Sequence, residues 1–402
     1  MTARRPGPLR ALPARPRREG VRRLAARRFA AGGRAAVAAA ALGTALLGSV
    51  ALGAGGCSVS SGAVTAPRGR LRRPLPRNAA PARRRTSLPA EAGPGGHPPA
   101  LPPEGRLAAP GLYEFAGGNS ATDAGNPDLA GTTLTFDWSA LEPSPGVYDW
   151  QPVEQAIAAW EAAGKKVILR VSAGSSLAWG DGAGDGTPAW VYALGVWRVD
   201  DDGSLLPAYW DRPFVEAYST FLAAYAARFD GDRAIAFIEM GIGEGGETLP
   251  DTQSDTDRLA LWSRYGYSDA GWLAYVETVS SDYREDFRTT AVVPLVDSSF
   301  LGGDRRRDYT ELVRWYARNG FPMQYDGLTE ESTLPGRAWA TVTTISEQRD
   351  PTSMSGDRLA GDCRAARHAL HSRWLLVYRS DLVDPANAGE VARCAAMLRQ
   401  AA

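Results

Sequence analysis

The sequence predicts an α/β chain whose body, residues 109–402, folds as a (β/α)8 barrel behind an export segment and a disordered linker. Three observations carry that reading. Eight short apolar runs bounded by turn residues recur from Gly111 onward, the pattern of buried parallel strands. Stretches with apolar residues at helical spacing separate most of them. No glycine-rich phosphate loop follows the first run, as an open doubly wound sheet would need.

The apolar runs fall at 111–116, 132–137, 166–173, 235–242, 290–296, 322–326, 339–345 and 374–379. Val153, Ile157 and Trp160 share one helical face, and similar patterns run through 212–228, 269–285, 306–319, 357–371 and 387–399. Glycines at 164 and 320 sit where helices should stop. The first crossover is the weakest helix, and the loop after the third strand is long.

The start of the chain has a different composition. Residues 1–108 carry 20 Arg, no Lys and three acidic residues, leaving 25 basic against 42 acidic residues in the body. An acidic body argues against nucleic-acid binding, which needs a basic face. Residues 1–57 read as an export signal: an Arg-rich start, an apolar run from Ala35 to Ala54, then Gly55-Gly56-Cys57. Arg27-Arg28-Phe29 resembles a twin-arginine signal. Cys57 resembles a lipid-attachment site, with Ala54 where Leu is usual, so membrane contact is expected through that anchor; a retained span is the alternative. Residues 58–108, rich in Pro, Ala, Arg and Gly, read as a disordered tether. The protein is therefore expected outside the cytoplasm, secreted or on the cell surface.

Cys363 and Cys394 are either a disulfide or two buried thiols. Their spacing suggests no zinc site, and no cofactor is implied. His97 lies in the tether, while His368 and His371 read as helix-surface or packing residues.

In a barrel of this kind the chemistry lies at the C-terminal ends of the strands. Those ends carry Asp137, Trp138, Arg170, Glu244, Glu247, Asp297, Tyr325, Asp326, Glu347, Tyr378 and Arg379. Carboxylates dominate, with aromatics and Arg beside them. Glycosidic cleavage needs one carboxylic acid to protonate the leaving oxygen, and a second carboxylate to attack the sugar or activate water. A barrel can supply such a pair from two strand ends on opposite sides of its cleft. Arg170, a charge at the end of a buried strand, requires a carboxylate partner. Glu142 before Pro143 reads as structural.

The strand-four segment Gly241-Ile242-Gly243-Glu244-Gly245-Gly246-Glu247 resembles the Gly-x-Gly-x-x-Gly-Glu segment of β-amylases. That resemblance implies Glu247 as general acid, with Glu244 the runner-up. Glu347-Gln348-Arg349-Asp350 resembles their Glu-x-Arg-Asp segment, which implies Glu347 as general base. Thr187-Pro188-Ala189-Trp190-Val191 resembles their Pro-x-Trp-Val segment. The strand-two region, Phe136-Asp137-Trp138 through Gly146-Val147-Tyr148-Asp149-Trp150, is similar to both β-amylases and β-galactosidase-like barrel glycosidases. The chain departs from β-amylases in its shorter length, and in Ser172-Ala173-Gly174-Ser175 where a His-rich segment stands in the family. It lacks the Asn-Glu dipeptide that retaining barrel glycosidases place at the end of strand four.

The expectation is a hydrolase of O-glycosidic bonds acting on a carbohydrate substrate. Asp137, Trp138, Arg170, Trp179, Trp190, Asp297, Tyr325, Asp326 and Tyr378 would hold the sugar, with the loop tryptophans as stacking faces. Two rival readings remain: an inactive barrel that binds glycan, and a transglycosylase in exopolysaccharide assembly.

Overall fold

Eight parallel strands form a ring. In chain order they are β1 (Gly111–Phe115), β2 (Leu129–Asp137), β3 (Lys166–Ser172), β4 (Ile235–Glu239), β5 (Val292–Val293 and Leu295–Val296), β6 (Met323–Leu328), β7 (Thr344–Gln348) and β8 (Trp374–Tyr378). Each pairs with the next, and β8 returns to β1. Pro294 divides β5. Proline has no N–H to donate, so Val292–Val293 pair with β4 while Leu295–Val296 pair with β6. The Pro294 carbonyl still accepts from the Gln324 N–H at 2.9 Å. The computed structural model describes residues 105–175, 185–201, 204–251, 256–296, 300–302, 305–349 and 359–400. The export segment and nearly all of the tether lie outside them, as do Trp179 and Asp297.

Strand alternation sorts the core into two layers. Tyr113, Ile168, Phe237, Val293, Ile345 and Leu376 fill the barrel interior. Leu112, Leu134, Leu169, Ile238, Leu375 and Val377 face the helices. Helix Gln151–Glu161 buries Val153, Ile157 and Trp160, the face its spacing predicts. Helices Arg212–Phe229, Asp269–Asp286, Arg305–Arg318 and Ala388–Arg399 lie close to their expected positions.

At four places the described structure corrects or adds to what the sequence predicts. Residues 116–128 form turns rather than a helix, because Gly117, Gly118 and Asn126-Pro127 interrupt any helical face. The long loop after β3 holds an antiparallel hairpin, Arg198–Asp201 with Ser204–Pro207. A helix, Thr256–Ser263, lies between β4 and helix Asp269–Asp286. The seventh strand is Thr344–Gln348, not 339–345: Trp339–Thr341 is a short 3-10 turn whose buried indole packs on Tyr325, outside the barrel.

The body also begins earlier than residue 109. Arg106 bridges to Thr290, and the Ala108 N–H donates to the Ala236 carbonyl at 3.0 Å. The Trp374 indole donates to the Ala108 carbonyl at 3.0 Å, and Leu107 packs on the interior layer. Residues 105–108 thus close the barrel floor at the N-terminal strand ends.

Cys363 and Cys394 are disulfide-bonded, with Cα atoms 5.6 Å apart, joining helix Leu359–Arg364 to helix Ala388–Arg399. The bond closes a loop of sequence separation 31. Replacing both cysteines with Ala should lower unfolding free energy by about 3 kcal/mol in urea titrations. Equal midpoints for parent and variant would remove the bond from the stability of the barrel.

Candidate active site

The register of the strands assembles the site. Arg170 in β3 lies level with Glu239 in β4, and Glu347 in β7 is level with Leu376 of the interior. All three side chains therefore point into the barrel near its C-terminal mouth. Gln324 in β6, level with Ile345, points the same way. These four polar side chains are buried.

Their hydrogen bonds form one network. Arg170 donates from Nε and Nη2 to the two Glu239 oxygens, at 2.9 and 2.7 Å. Its Nη1 donates to the Gly245 carbonyl at 2.9 Å, wiring the loop after β4 to the barrel wall. Gly246 in that loop has φ +88°, and a Cβ there would meet Arg170 Cδ at 2.6 Å, so the close approach requires glycine. Gln324 Nε2 donates to Glu239 Oε1 and to Glu347 Oε2, both at 2.6 Å. The two carboxyl oxygens therefore lie within twice that distance of each other. Arg170 Nη2 lies 3.8 Å from Glu347 Oε2, and its guanidinium carbon lies 5.5 Å from the centre of the Phe115 ring. Phe115 in turn meets the Tyr378 ring edge-on at 5.1 Å.

This arrangement sets the electrostatics. Burial pushes the Glu347 carboxyl well above its ordinary range, and the charges of Asp326, Glu239 and Glu247 add to the shift. Arg170 opposes it, but that guanidinium already serves Glu239 bidentately. Burial disfavours the Arg170 charge; Glu239 first, then Glu347 and Glu247, outweigh the penalty and raise its proton affinity.

The structure brings together part of the residue set expected from sequence. Glu347 and Arg170 are at its centre. Glu247 is half-buried on the loop after β4, and its charge acts on both. Glu244 is buried; its backbone bridges to Gly174, and its charge acts on Tyr209. Asp326 acts on Glu347 and accepts from the Gly327 N–H at 2.6 Å. Asp137, level with Ser172, accepts from Ser175 Oγ at 2.8 Å. Tyr378 stands at the end of β8 against Phe115.

Three expected sugar contacts lie elsewhere. Trp138 is fully buried behind β2, among Trp190, Phe214, Tyr218 and Phe221, and its Nε1 donates to Glu142 at 2.8 Å. Trp190 is half-buried, and donates to the Glu142 carbonyl at 3.0 Å. Tyr325 points outward and packs edge-on against Trp339. Glu142 is structural, as expected. Its carboxyl accepts from Trp138 and from the Gly146 N–H, and burial raises its pKa against those hydrogen bonds.

Sequence reasoning missed Glu239, Gln324 and Phe115. A signal for Glu239 was present. Arg170 needs a carboxylate at its own height, and only a strand residue of matching parity in β4 supplies one. Among the described residues no cluster of His, Cys, Asp and Glu could hold a metal ion.

A second acidic cluster lies behind the Phe115–Tyr378 pair. Glu114 in β1 is buried, and its pKa is raised to about 7 from an ordinary 4.5. Burial is the main cause, followed by the hydrogen bond and charge of Asp123; Arg379 and Thr132 oppose it. Asp123 itself accepts from Arg379 Nε at 2.6 Å. The folded protein holds the Glu114 proton more tightly than the unfolded chain does. Its contribution to stability is therefore complete below pH about 4.5, and is lost as pH rises through about 7. Glu114→Gln should remove that decline, so the variant gains on the parent across this window in urea titrations. Parallel profiles would rule the titration out.

The family model for glycoside hydrolase family 42 β-galactosidase matches residues 130–194, which span β2 and β3. No curated protein matches the chain by sequence. Among solved structures, the catalytic domain of β-amylase from Paenibacillus polymyxa is similar with a TM-score of 0.45 and 11% identity, covering 68% of this chain and 93% of that one. A β-galactosidase from Marinomonas ef1 gives 0.40 and 13%, covering 67% of this chain and 54% of that one. An exo-β-1,4-mannosidase from Opitutaceae bacterium strain TAV5 gives 0.39 and 12%, covering 72% and 57%. The chain thus spans little more than half the length of the last two.

Proposed function

We propose that this barrel hydrolyses O-glycosidic bonds of an extracytoplasmic oligo- or polysaccharide, with Glu347 and Glu247 as its working carboxyl pair. One observation carries the reading: Gln324 holds a buried carboxyl at the end of β7, and Arg170 beside that carboxyl fastens the loop after β4 that bears half-buried Glu247. The partial match to a β-galactosidase model over β2 and β3 supports it. The disulfide fits an oxidising compartment, in keeping with the signal-like start of the chain.

A glycosidase at rest needs one carboxyl holding a proton and one free to act as base or nucleophile. Burial and like charge favour the protonated form of Glu347. Glu347 is then the acid that protonates the leaving oxygen. Glu247, half-buried and closer to solvent, is the carboxylate that activates water or attacks the sugar. These roles are the reverse of those the β-amylase resemblance implies. Gln324 and Arg170 position Glu347, and Phe115 with Tyr378 lines the wall beside it. Asp137 and Asp326 are at hand for sugar hydroxyls.

The test is hydrolysis of a panel of aryl glycosides and polysaccharides by the parent, Glu347→Gln and Glu247→Gln. A substrate whose leaving group departs without protonation bypasses the acid. Glu347→Gln should keep most activity on a dinitrophenyl glycoside and lose it on a poorer leaving group, while Glu247→Gln loses both. The opposite split would restore the roles implied by resemblance. No hydrolysis of any substrate by the parent would remove the enzyme reading.

A further inference from the structure

Trp197 stands apart from the other described tryptophans. It is 63% exposed, while Trp138, Trp160, Trp262, Trp272 and Trp339 are buried. It lies on the loop after β3, immediately before the hairpin, and its ring meets Tyr265 at 6.1 Å and 63°. Tyr265 lies on the segment between β4 and helix Asp269–Asp286, so the two rings come from neighbouring connections on the face that carries Glu247.

The backbone that carries the indole is held in place rather than left loose. The Trp197 N–H donates to Asp211 Oδ2 at 3.0 Å, and its carbonyl accepts from the Ala208 N–H at 3.0 Å. Val196 and Val199 on either side are buried. The Tyr265 carbonyl accepts from Trp210 Nε1 at 2.9 Å, fixing the backbone that carries the second ring. A rigid backbone that presents a large apolar ring to water is a preorganised surface, because little entropy remains to be lost on contact.

The surroundings select the occupant. Among the described residues of this loop, Leu194, 53% exposed, is the other large apolar side chain exposed. A stable protein partner would need roughly 800 Å² of surface on each side, far more than one indole and one leucine offer. Polar groups stand close by: Arg198 pairs with Asp185 and stacks over Tyr192 at 4.4 Å. A flat apolar face with charged hydrogen-bonding groups at its edge matches a pyranose ring, which is apolar on its face and hydroxylated at its rim.

We propose that Trp197, backed by Tyr265, is a stacking platform for a sugar unit distant from the cleaved bond. The substrate is then a chain that runs from the mouth across the loops after β3 and β4. This rests on the glycosidase reading, and it deepens that reading by assigning a polymeric substrate.

The test uses the full chain carrying Glu347→Gln, so that ligand survives the measurement, in affinity electrophoresis with β-1,4-galactan, β-1,4-xylan and soluble starch. At least one polysaccharide should retard it. Adding Trp197→Ala should weaken that binding about tenfold, and Trp197→Tyr should restore most of it. With Glu347 intact, Trp197→Ala should lower kcat/KM about tenfold more for the polysaccharide than for an aryl monosaccharide. The proposal is overturned if Trp197→Ala binds as tightly as its parent, or if none of the three polymers is bound. Binding that depends on Trp197 in a protein that hydrolyses nothing would sink the enzyme reading and leave the platform standing.

Discussion

Glu347→Gln should lower kcat/KM toward aryl glycosides with poor leaving groups by about 10²–10⁴-fold, the usual contribution of a positioned acid or base. The substitution preserves shape. Its new amide can still present an oxygen to Gln324 Nε2, which donates to Glu347 at 2.6 Å in the parent. It also removes a carboxyl whose charged form is penalised by burial and by three neighbouring acids. The fold should therefore survive, and the unfolding midpoint should stay level or rise near neutral pH. Initial rates and urea titrations on the same preparations separate the two effects. Activity within a few-fold of the parent would take Glu347 out of the chemistry, whatever the stability.

Arg170→Met should cost about 3–5 kcal/mol of unfolding free energy, because it strands a buried carboxylate. Glu239 loses both hydrogen bonds from the guanidinium, and the Gly245 carbonyl loses its donor. The loop that carries Glu247 is released in the same step, so activity should fall with stability. The double variant Arg170→Met with Glu239→Leu should recover much of the lost stability, since no unpaired charge remains. It should not recover activity. If the double variant is no more stable than Arg170→Met, the penalty comes from lost packing of the arginine stem on Gly246 rather than from the stranded charge.

The two predictions turn on residues that differ in how visible they are in the sequence. The strands are readable because a parallel strand covered on both faces is a run of apolar residues. Val167-Ile168-Leu169 and Ile235-Ala236-Phe237-Ile238 announce themselves. The weakest case, the seventh strand, is polar at four of its five positions, Thr344, Ser346, Glu347 and Gln348, so the preceding residues look more like a strand. Glu347 and Arg170 were found because each ends a strand. Glu239 was passed over because a glycine-rich loop with two further acids follows it at once. Choosing among Glu239, Glu244 and Glu247 requires the register of β3 against β4, which no single strand encodes. Gln324 is one neutral residue inside an apolar run, and its role exists only through two carboxyls that are far from it in sequence. Trp138 failed for the opposite reason: a tryptophan after a strand is the same in sequence whether its ring faces the mouth or the helices.

The closed floor has a consequence for how the protein meets its surroundings. Backbone bonds fasten Arg106 and Ala108 to Thr289, Thr290 and Ala236, at the end of the barrel opposite Glu347. The chain therefore enters its folded part at one pole and presents its carboxyls at the other. A pull along the chain from its N-terminal side is therefore borne first by these floor bonds, and reaches the strands that carry the carboxyls only after they part.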